Sequence, residues 1–335
     1  MEQQLAAFLS PRLANGGEIA ISNLFRIPGG ASRETWMFDA AWGESRAAFV
    51  LRKDPPASLL DTDREAEWGF YTSFAGTNVP VPGMRWLEAD AAYLGGPFFI
   101  MDRLLGIEAQ PRRLMTAAFA DARPRIAHHL YEILANIHCF DWRGTPVERV
   151  AECPPLDGCW KKELDHWERI IDDNEISPQP IMRAGIRWLR ANPPPPADHV
   201  AVVHGDYRVG NVLCQPDGDI AAVVDWEMAH LGDPIEDLAW SFNESWQWMH
   251  DGRPGGVATK EEAIALYEAN SGLPVDRRAL QWWLAFCDVK CQGIWLTGTR
   301  RFQEHKTAEL ILPMISYTLI NSQDQALLRS LGRWS

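Results

Sequence analysis

Four side chains in one short stretch have the types and spacing that proton and phosphate chemistry needs. His204, Gly205 and Asp206 follow an apolar run, Asn211 stands five residues past Asp206, and Asp225 closes a second apolar run, AAVVD. Polar groups set just past buried strands lie at sheet ends, where stiff backbone aims them into a cleft. An Asp, an Asn and a second Asp around one cleft supply hard oxygen ligands for Mg²⁺ and leave one carboxylate to act as a base. The same region also admits a hydrolytic reading. In it, His204, Asp206, Asp225 and His230 would hold Zn²⁺, Mn²⁺ or Fe²⁺ and activate a water.

These residues need elements to hold them. Residues 199–226, HVAVVHGDYRVGNVLCQPDGDIAAVVDW, read as short strands flanking a polar loop, with a Pro-Asp-Gly-Asp turn between two of them. The Pro193–Pro196 run ahead of them reads as a stiff extended connector. Helices surround this island. Residues 123–139 carry Ile126, Leu130, Ile133, Leu134 and Ile137 on one face, and further helices fit 159–173, 178–191, 234–249, 260–271 and 276–301. Before residue 105 the pattern is strand-like, at 19–27, 34–40, 47–53, 84–88 and 97–102. A helix from about Asp63 to Ala75, with Asp61 as its cap, interrupts those strands. The economical fold is α+β: a small, mostly antiparallel sheet with one helix over residues 1–103, then a mainly helical part over 104–335, hinged at about 101–106.

HGDYRVGN followed by VVDWEMAHLGDPIEDLA resembles the aminoglycoside phosphotransferase and choline kinase superfamily, distant relatives of protein kinases. PGGASRETW, FVLRKDPP and HGDYRVGN look most like the subgroup that includes the phosphotransferase domain fused to some acyl-CoA dehydrogenases. The resemblance implies a bilobal, protein-kinase-like fold, with ATP and Mg²⁺ as cofactors and GTP not excluded. Asp206 would then be the base that takes a proton from the substrate hydroxyl, and Asn211 and Asp225 would hold Mg²⁺ between the phosphates. Asp237 would anchor the backbone of the catalytic loop. Phosphoryl transfer passes through a loose transition state, so such a site mostly positions reactants and neutralises charge. Arg208, two residues past the base, is expected to contact the γ-phosphate, because guanidinium binds phosphate oxygens bidentately. The alternative is an arginine in solvent or paired with an acid such as Glu227. His204 joins the catalytic set as a brace that hydrogen-bonds the loop, and Asp233 and Pro234 suit the start of the following helix.

In the N-terminal region, Gly29, Gly30, Ala31 and Ser32 join two strands, as a phosphate-covering loop would. FVLRK occupies the strand where kinases keep a lysine for the α- and β-phosphates, and here Arg52 stands at that position with Lys53 beside it. Strand alternation lets only one face the cleft, and Arg52 shares a face with Val50. Glu65, early in the next helix, is the expected partner of that cation. Backbone groups of about Asp102 and Leu104, in the hinge, would meet a purine edge. No GxxxxGK[ST] occurs, which excludes a P-loop, and no GxGxxG follows the first strand.

The 335 residues give a prior of about two domains or lobes. Hydrophobic residues at 46% and charged residues at 23% are ordinary globular composition. A net charge of −13 disfavours nucleic acid and anionic membrane as partners. No spanning run and no secretory pattern is present, and six cysteines without a CxxC pair read as free buried thiols, so a cytoplasmic protein is expected. The acceptor would be the hydroxyl of a small molecule. Trp240, Trp246, Trp248, Trp282, Trp283 and Trp295 would form an aromatic cage for a cation, a surface for an apolar acceptor, or plain core. A kinase-like protein that binds nucleotide without turnover is the remaining alternative, motivated by the arginine at 52.

Overall fold

The computed structural model describes residues 1–27, 34–54, 63–247, 249, 251–306 and 309–333. The first element is a helix, α1 (Glu2–Leu13), which buries Leu5, Phe8 and Leu9. Strands β1 (Ala20–Arg26), β2 (Glu34–Trp42) and β3 (Ser45–Lys53) follow, then α2 (Arg64–Ser73), β4 (Met84–Glu88) and β5 (Phe98–Asp102). The sheet is antiparallel with order β1-β2-β3-β5-β4. Alternation along β3 divides the core. Phe49 and Leu51 pack with α1 residues on one face, whereas Val50 joins Phe70, Tyr71 and Phe74 of α2 on the other. Arg52 shares that second face and lies 7% exposed. Lys53 turns away, toward the Leu94 carbonyl at 3.3 Å and Glu34 at 3.2 Å.

The cap of α2 is Asp63, whose carboxylate accepts the N–H groups of Glu65 and Ala66 at 2.8 and 3.4 Å. It takes the place expected of Asp61, which falls outside the described residues. The helix therefore starts one residue later than expected, which decides which acid faces the sheet.

Beyond β5 the chain is mainly helical: α3 (Pro111–Leu114), α4 (Arg123–His138), α5 (Pro146–Val150), α6 (Cys159–Asn174) and α7 (Pro180–Ala191). The β-rich island comprises β6 (Ala201–Val203), β7 (Val212–Cys214), β8 (Ile220–Val223) and β9 (His230–Gly232). β6 pairs with β9 and β7 with β8, forming two two-stranded ladders whose loops meet. Helices α8 (Ile235–Ser241), α9 (Lys260–Ser271), α10 (Arg277–Gln303) and α11 (Ile311–Ser330) complete the fold.

Two expectations change, and one helix stands where none was expected. The helix placed at 234–249 stops at Ser241, because the Asn243 side chain caps a separate turn over Glu244–Trp246. Helix α11 has no clear apolar stripe, since Ser316 and Gln323 share its buried side with Leu312, Ala326 and Leu327. All six cysteines are free, but Cys139 and Cys153 are exposed rather than buried. Among the described residues, no helix is long and apolar enough to cross a membrane.

Candidate active site

Strand β6 delivers the chain to His204–Asp206, and the turn there requires glycine. Gly205 has φ +81°, and a Cβ on it would lie 2.3 Å from the Met228 carbonyl oxygen. Asp237, in the first turn of α8, anchors this turn. Its two carboxylate oxygens accept the His204 N–H at 2.6 Å and the Gly205 N–H at 2.9 Å. The His204 ring is fully buried; its Nδ1 accepts the Asp206 N–H at 3.2 Å, which leaves Nε2 to donate to the Val224 carbonyl at 3.1 Å. Burial also lowers its pKa, which suits this neutral tautomer. Below the turn, buried Lys290 donates to the Gly205 carbonyl at 2.7 Å and to Glu236 at 2.9 Å. Tyr207 fixes the loop to α4 through the Leu130 carbonyl, at 2.5 Å. Asp233 accepts the N–H of Ile235 at 3.0 Å, and burial raises its pKa to about 6.

On this platform the polar side chains converge. Oδ1 of Asp206 accepts from Trp240 Nε1 at 2.7 Å and Arg208 Nε at 2.9 Å. Its Oδ2 accepts from Asn211 Nδ2 at 2.6 Å and Arg208 Nη2 at 3.3 Å. The Arg208 guanidinium lies 4.4 Å over the Trp246 ring. Because the Asn211 amide nitrogen is turned to Asp206, its Oδ1 is left without a protein partner among the described residues. Val224 donates its N–H to the Asn211 carbonyl at 2.9 Å, which ties the loop to the segment bearing Asp225.

Asp225 adopts the left-handed conformation, φ 72° and ψ 55°, which Asp tolerates better than most residues. Its N–H donates to the Tyr71 hydroxyl of α2 at 2.8 Å, and its Oδ1 accepts from Arg52 Nη2 at 2.6 Å. Burial alone would raise the Asp225 pKa, but the Arg52 charge and hydrogen bond more than offset this, and the net shift is downward. Glu67 and Glu227 lie 3.7 and 3.6 Å from the same guanidinium. A strand of the sheet, its helix and the β-rich island thus meet at one arginine.

Several expected site residues sit elsewhere. Glu65 is exposed on α2, and the acid that faces Arg52 is Glu67, two positions on and across the helix. Arg208 pairs with Asp206, not with Glu227 and not with open solvent. His204, by contrast, has both ring nitrogens engaged by backbone, the bracing geometry expected of it. The Asp102 N–H is taken by the Gly83 carbonyl at 2.8 Å and its carboxylate by Arg85 at 2.7 Å, so that N–H is not available to a purine. The Leu104 N–H has no partner among the described residues. Gly29, Gly30, Ala31 and Ser32 lie outside the described residues, as does Trp248.

The hydrolytic cluster does not assemble. His230 gathers with Glu163 and Glu236, and Lys290 fills that cluster as its cation. No group of metal-capable side chains among the described residues unites His204, Asp206, Asp225 and His230. Of the tryptophans named above, Trp282 and Trp283 are core, buried and packed on Phe286, and Trp240 and Trp246 face the cations Lys290 and Arg208. Trp240 is the contact that the sequence reading missed. Its signal was its place three residues after Asp237, on the same face of a helix that points at the loop.

A groove of about 710 Å³ is lined by Glu67, Glu227, Trp167, Lys290, Arg169 and Arg301 among others; it reaches two of the acids around Arg52 but borders none of Asp206, Asn211 and Asp225. A smaller cavity of about 350 Å³, between the Pro195–His199 connector and α9, borders Asp233 but none of Asp206, Asn211 and Asp225.

The phosphotransferase enzyme family matches residues 24–283, which span every element just described from β1 into α10. The chain belongs to the phosphotransferase enzyme family. Among curated proteins it is similar to acyl-CoA dehydrogenase family member 11 of Gallus gallus, 27% identical over 292 residues, covering 80% of this chain and 37% of that protein. It is also similar to family member 10 of Mus musculus, 29% identical over 239 residues, covering 67% of this chain and 22% of that protein. The chain therefore spans well under half the length of these relatives.

Solved structures share the fold of this phosphotransferase. A Ralstonia eutropha protein assigned as an aminoglycoside phosphotransferase superposes with TM-score 0.77 at 21% identity, covering 99% of this chain and 98% of that one. Plasmodium vivax ethanolamine kinase gives 0.63 at 13% identity, covering 96% and 86%. An aminoglycoside phosphotransferase in ternary complex with AMP-PNP and hygromycin B gives 0.59 at 17% identity, covering 98% of each chain. The fold is the kinase-like α+β fold.

Proposed function

We propose that this phosphotransferase moves the γ-phosphate of ATP to a hydroxyl of a small molecule, with Mg²⁺ as cofactor and Asp206 as the base. The observation that carries the reading is the anchored loop, in which Asp206 and Asn211 bond side by side and the Asn211 carbonyl accepts the Val224 N–H, next to Asp225. The donor set fits a hard cation. Asn211 Oδ1 and Asp225 Oδ2 are oxygens without a protein partner among the described residues, and the other oxygen of Asp225 is held by Arg52. Mg²⁺ bound there would neutralise charge on the phosphates during transfer.

The chain's own groups supply the rest. Arg52, fixed by Asp225, Glu67 and Glu227, is the cation for the α- and β-phosphates. Asp206 accepts the hydroxyl proton as the oxygen attacks. While Arg208 holds both of its oxygens this acceptor role is blocked, so Arg208 moves to the transferring phosphate in the working complex. Residues 1–103 would cover the nucleotide, with the Leu104 N–H meeting its base. Residues 104–335 would carry the acceptor.

The test is a panel of hydroxyl acceptors (hydroxyacyl thioesters, amino alcohols and aminoglycosides) incubated with Mg·ATP and followed by ³¹P NMR. A phosphate ester is expected from at least one class, in parallel with loss of ATP. Tight Mg·ATP binding with no ester from any class would point instead to a nucleotide-binding protein without turnover.

A further inference from the structure

Asp206 has two kinds of hydrogen-bond partner, and they differ in mobility. Arg208 is two residues away on the same loop, its side chain 21% exposed. Trp240 comes from α8 and is 1% exposed. Its ring is held by the Lys290 ammonium at 4.8 Å and by the Trp246 ring at 5.6 Å, and its indole N–H points at Asp206 Oδ1 at 2.7 Å. Phenylalanine would satisfy the packing around that ring. The N–H is the part that packing does not explain, because indole can only donate and the carboxylate is its one partner.

We infer that Trp240 is a positioning residue for phosphoryl transfer, orienting the Asp206 carboxylate through its indole N–H. The inference rests on the reading of Asp206 as the base. When Arg208 leaves for the phosphate, Asn211 keeps its Nδ2 on Oδ2 and offers its free Oδ1 to a cation, and Oδ1 of Asp206 is left with one donor, the Trp240 indole. Trp240 is the contact that stays on Oδ1, fixing the carboxylate plane so that the remaining lone pair of Oδ2 meets the acceptor hydroxyl. Helix α8 thereby fixes the base twice. Asp237 holds the backbone of the loop, and Trp240, one turn on, holds the side chain.

Trp240→Phe and Asp206→Asn are compared, singly and together, by phosphate release from Mg·ATP with water as acceptor. Trp240→Phe is expected to lower kcat about 10–100-fold while the KM for Mg·ATP stays within about twofold, since a hydrogen bond to a charged group is lost only at the base. In the Asp206→Asn background the same substitution should change kcat less than about twofold, because the group it positions is no longer a base. Equal losses in both backgrounds, or none in the wild type, would overturn the inference. Wild-type turnover in Asp206→Asn alone would instead remove the base assignment on which it stands. A second readout avoids Trp240 variants altogether. In ¹⁵N-tryptophan-labelled protein, Asp206→Asn should move one downfield indole N–H resonance upfield, and a spectrum in which none moves would overturn the contact itself.

Discussion

At the scale of single residues, the site is a set of oxygens held apart by two arginines. Arg52 is buried among three carboxylates, an arrangement in which burial opposes its charge and Asp225 and Glu67 restore it. Arg52→Met would leave Asp225 and Glu67 facing each other without their shared cation. Mg·ATP affinity is then expected to fall at least about tenfold, the loss typical of a charge-assisted contact, as measured by isothermal titration. Unchanged affinity would remove Arg52 from the nucleotide site. The sequence made the choice of Arg52 over Lys53 readable, because β-strand alternation puts Arg52 on the face of Val50 and α2. It did not make Glu67 readable in place of Glu65. Which acid faces the sheet depends on the residue at which α2 begins, and that depends on whether Asp61 or Asp63 caps it, two aspartates equally good at the task. Arg208 was legible as a cation near Asp206, but its partner in this state was not, since a flexible guanidinium has several acids within reach.

At the scale of elements, the loop is as rigid as the buried network beneath it. Lys290 from α10, Glu236 from α8, His230 from β9 and Glu163 from α6 form one cluster under Gly205, with His166 of α6 nearby. Lys290→Met removes one of the two cations and leaves Glu163 and Glu236 to share His230, a loss of up to about 3–5 kcal/mol and a fall in Tm on the order of 10 °C. The cluster also sets a pH window. Burial alone would lower the His230 pKa, but Glu163 and Glu236 raise it to about 9, above its ordinary 6.5. A raised histidine gives its full stabilisation below about 6.5 and loses it as pH climbs through 9. Differential scanning calorimetry from pH 6 to 10 is expected to show Tm declining across that window, and His230→Gln should flatten this part of the curve. A wild-type decline that His230→Gln leaves intact would assign it to another group. None of this was visible in the sequence, where Glu163 is one of many charges along α6 and Lys290 stands in a mostly apolar stretch of α10. Helix α11 was hidden for the opposite reason: polar Ser316 and Gln323 occupy its buried side, and Gln323 is there to bond Asp288 at 2.6 Å.

At the scale of the whole molecule, the sheet and the helical part are joined across the site itself. Arg52 of β3 and Tyr71 of α2 both hold Asp225, the former through its carboxylate and the latter through its N–H. A shift between the two parts would therefore change the grip on Asp225, the proposed cation ligand, and on the reading above would couple nucleotide binding to their relation. The general architecture was legible because strands dominate before residue 105 and helices after it, and because HGDYRVGN and GDPIEDLA are specific patterns. The acceptor was not legible, because no motif in the sequence names it, and the 710 Å³ groove is lined from α2, α6 and α10, elements far apart in sequence. The central claim is that Asp206 takes the proton in a reaction that starts from bound Mg·ATP, and one paired measurement tests it most directly: equilibrium Mg·ATP binding and phosphate release, for the wild type and for Asp206→Asn. The account predicts binding within about twofold of the wild type and turnover lower by about 10²–10⁴-fold. Turnover that survives the substitution, or a wild-type chain that does not bind Mg·ATP, would contradict it.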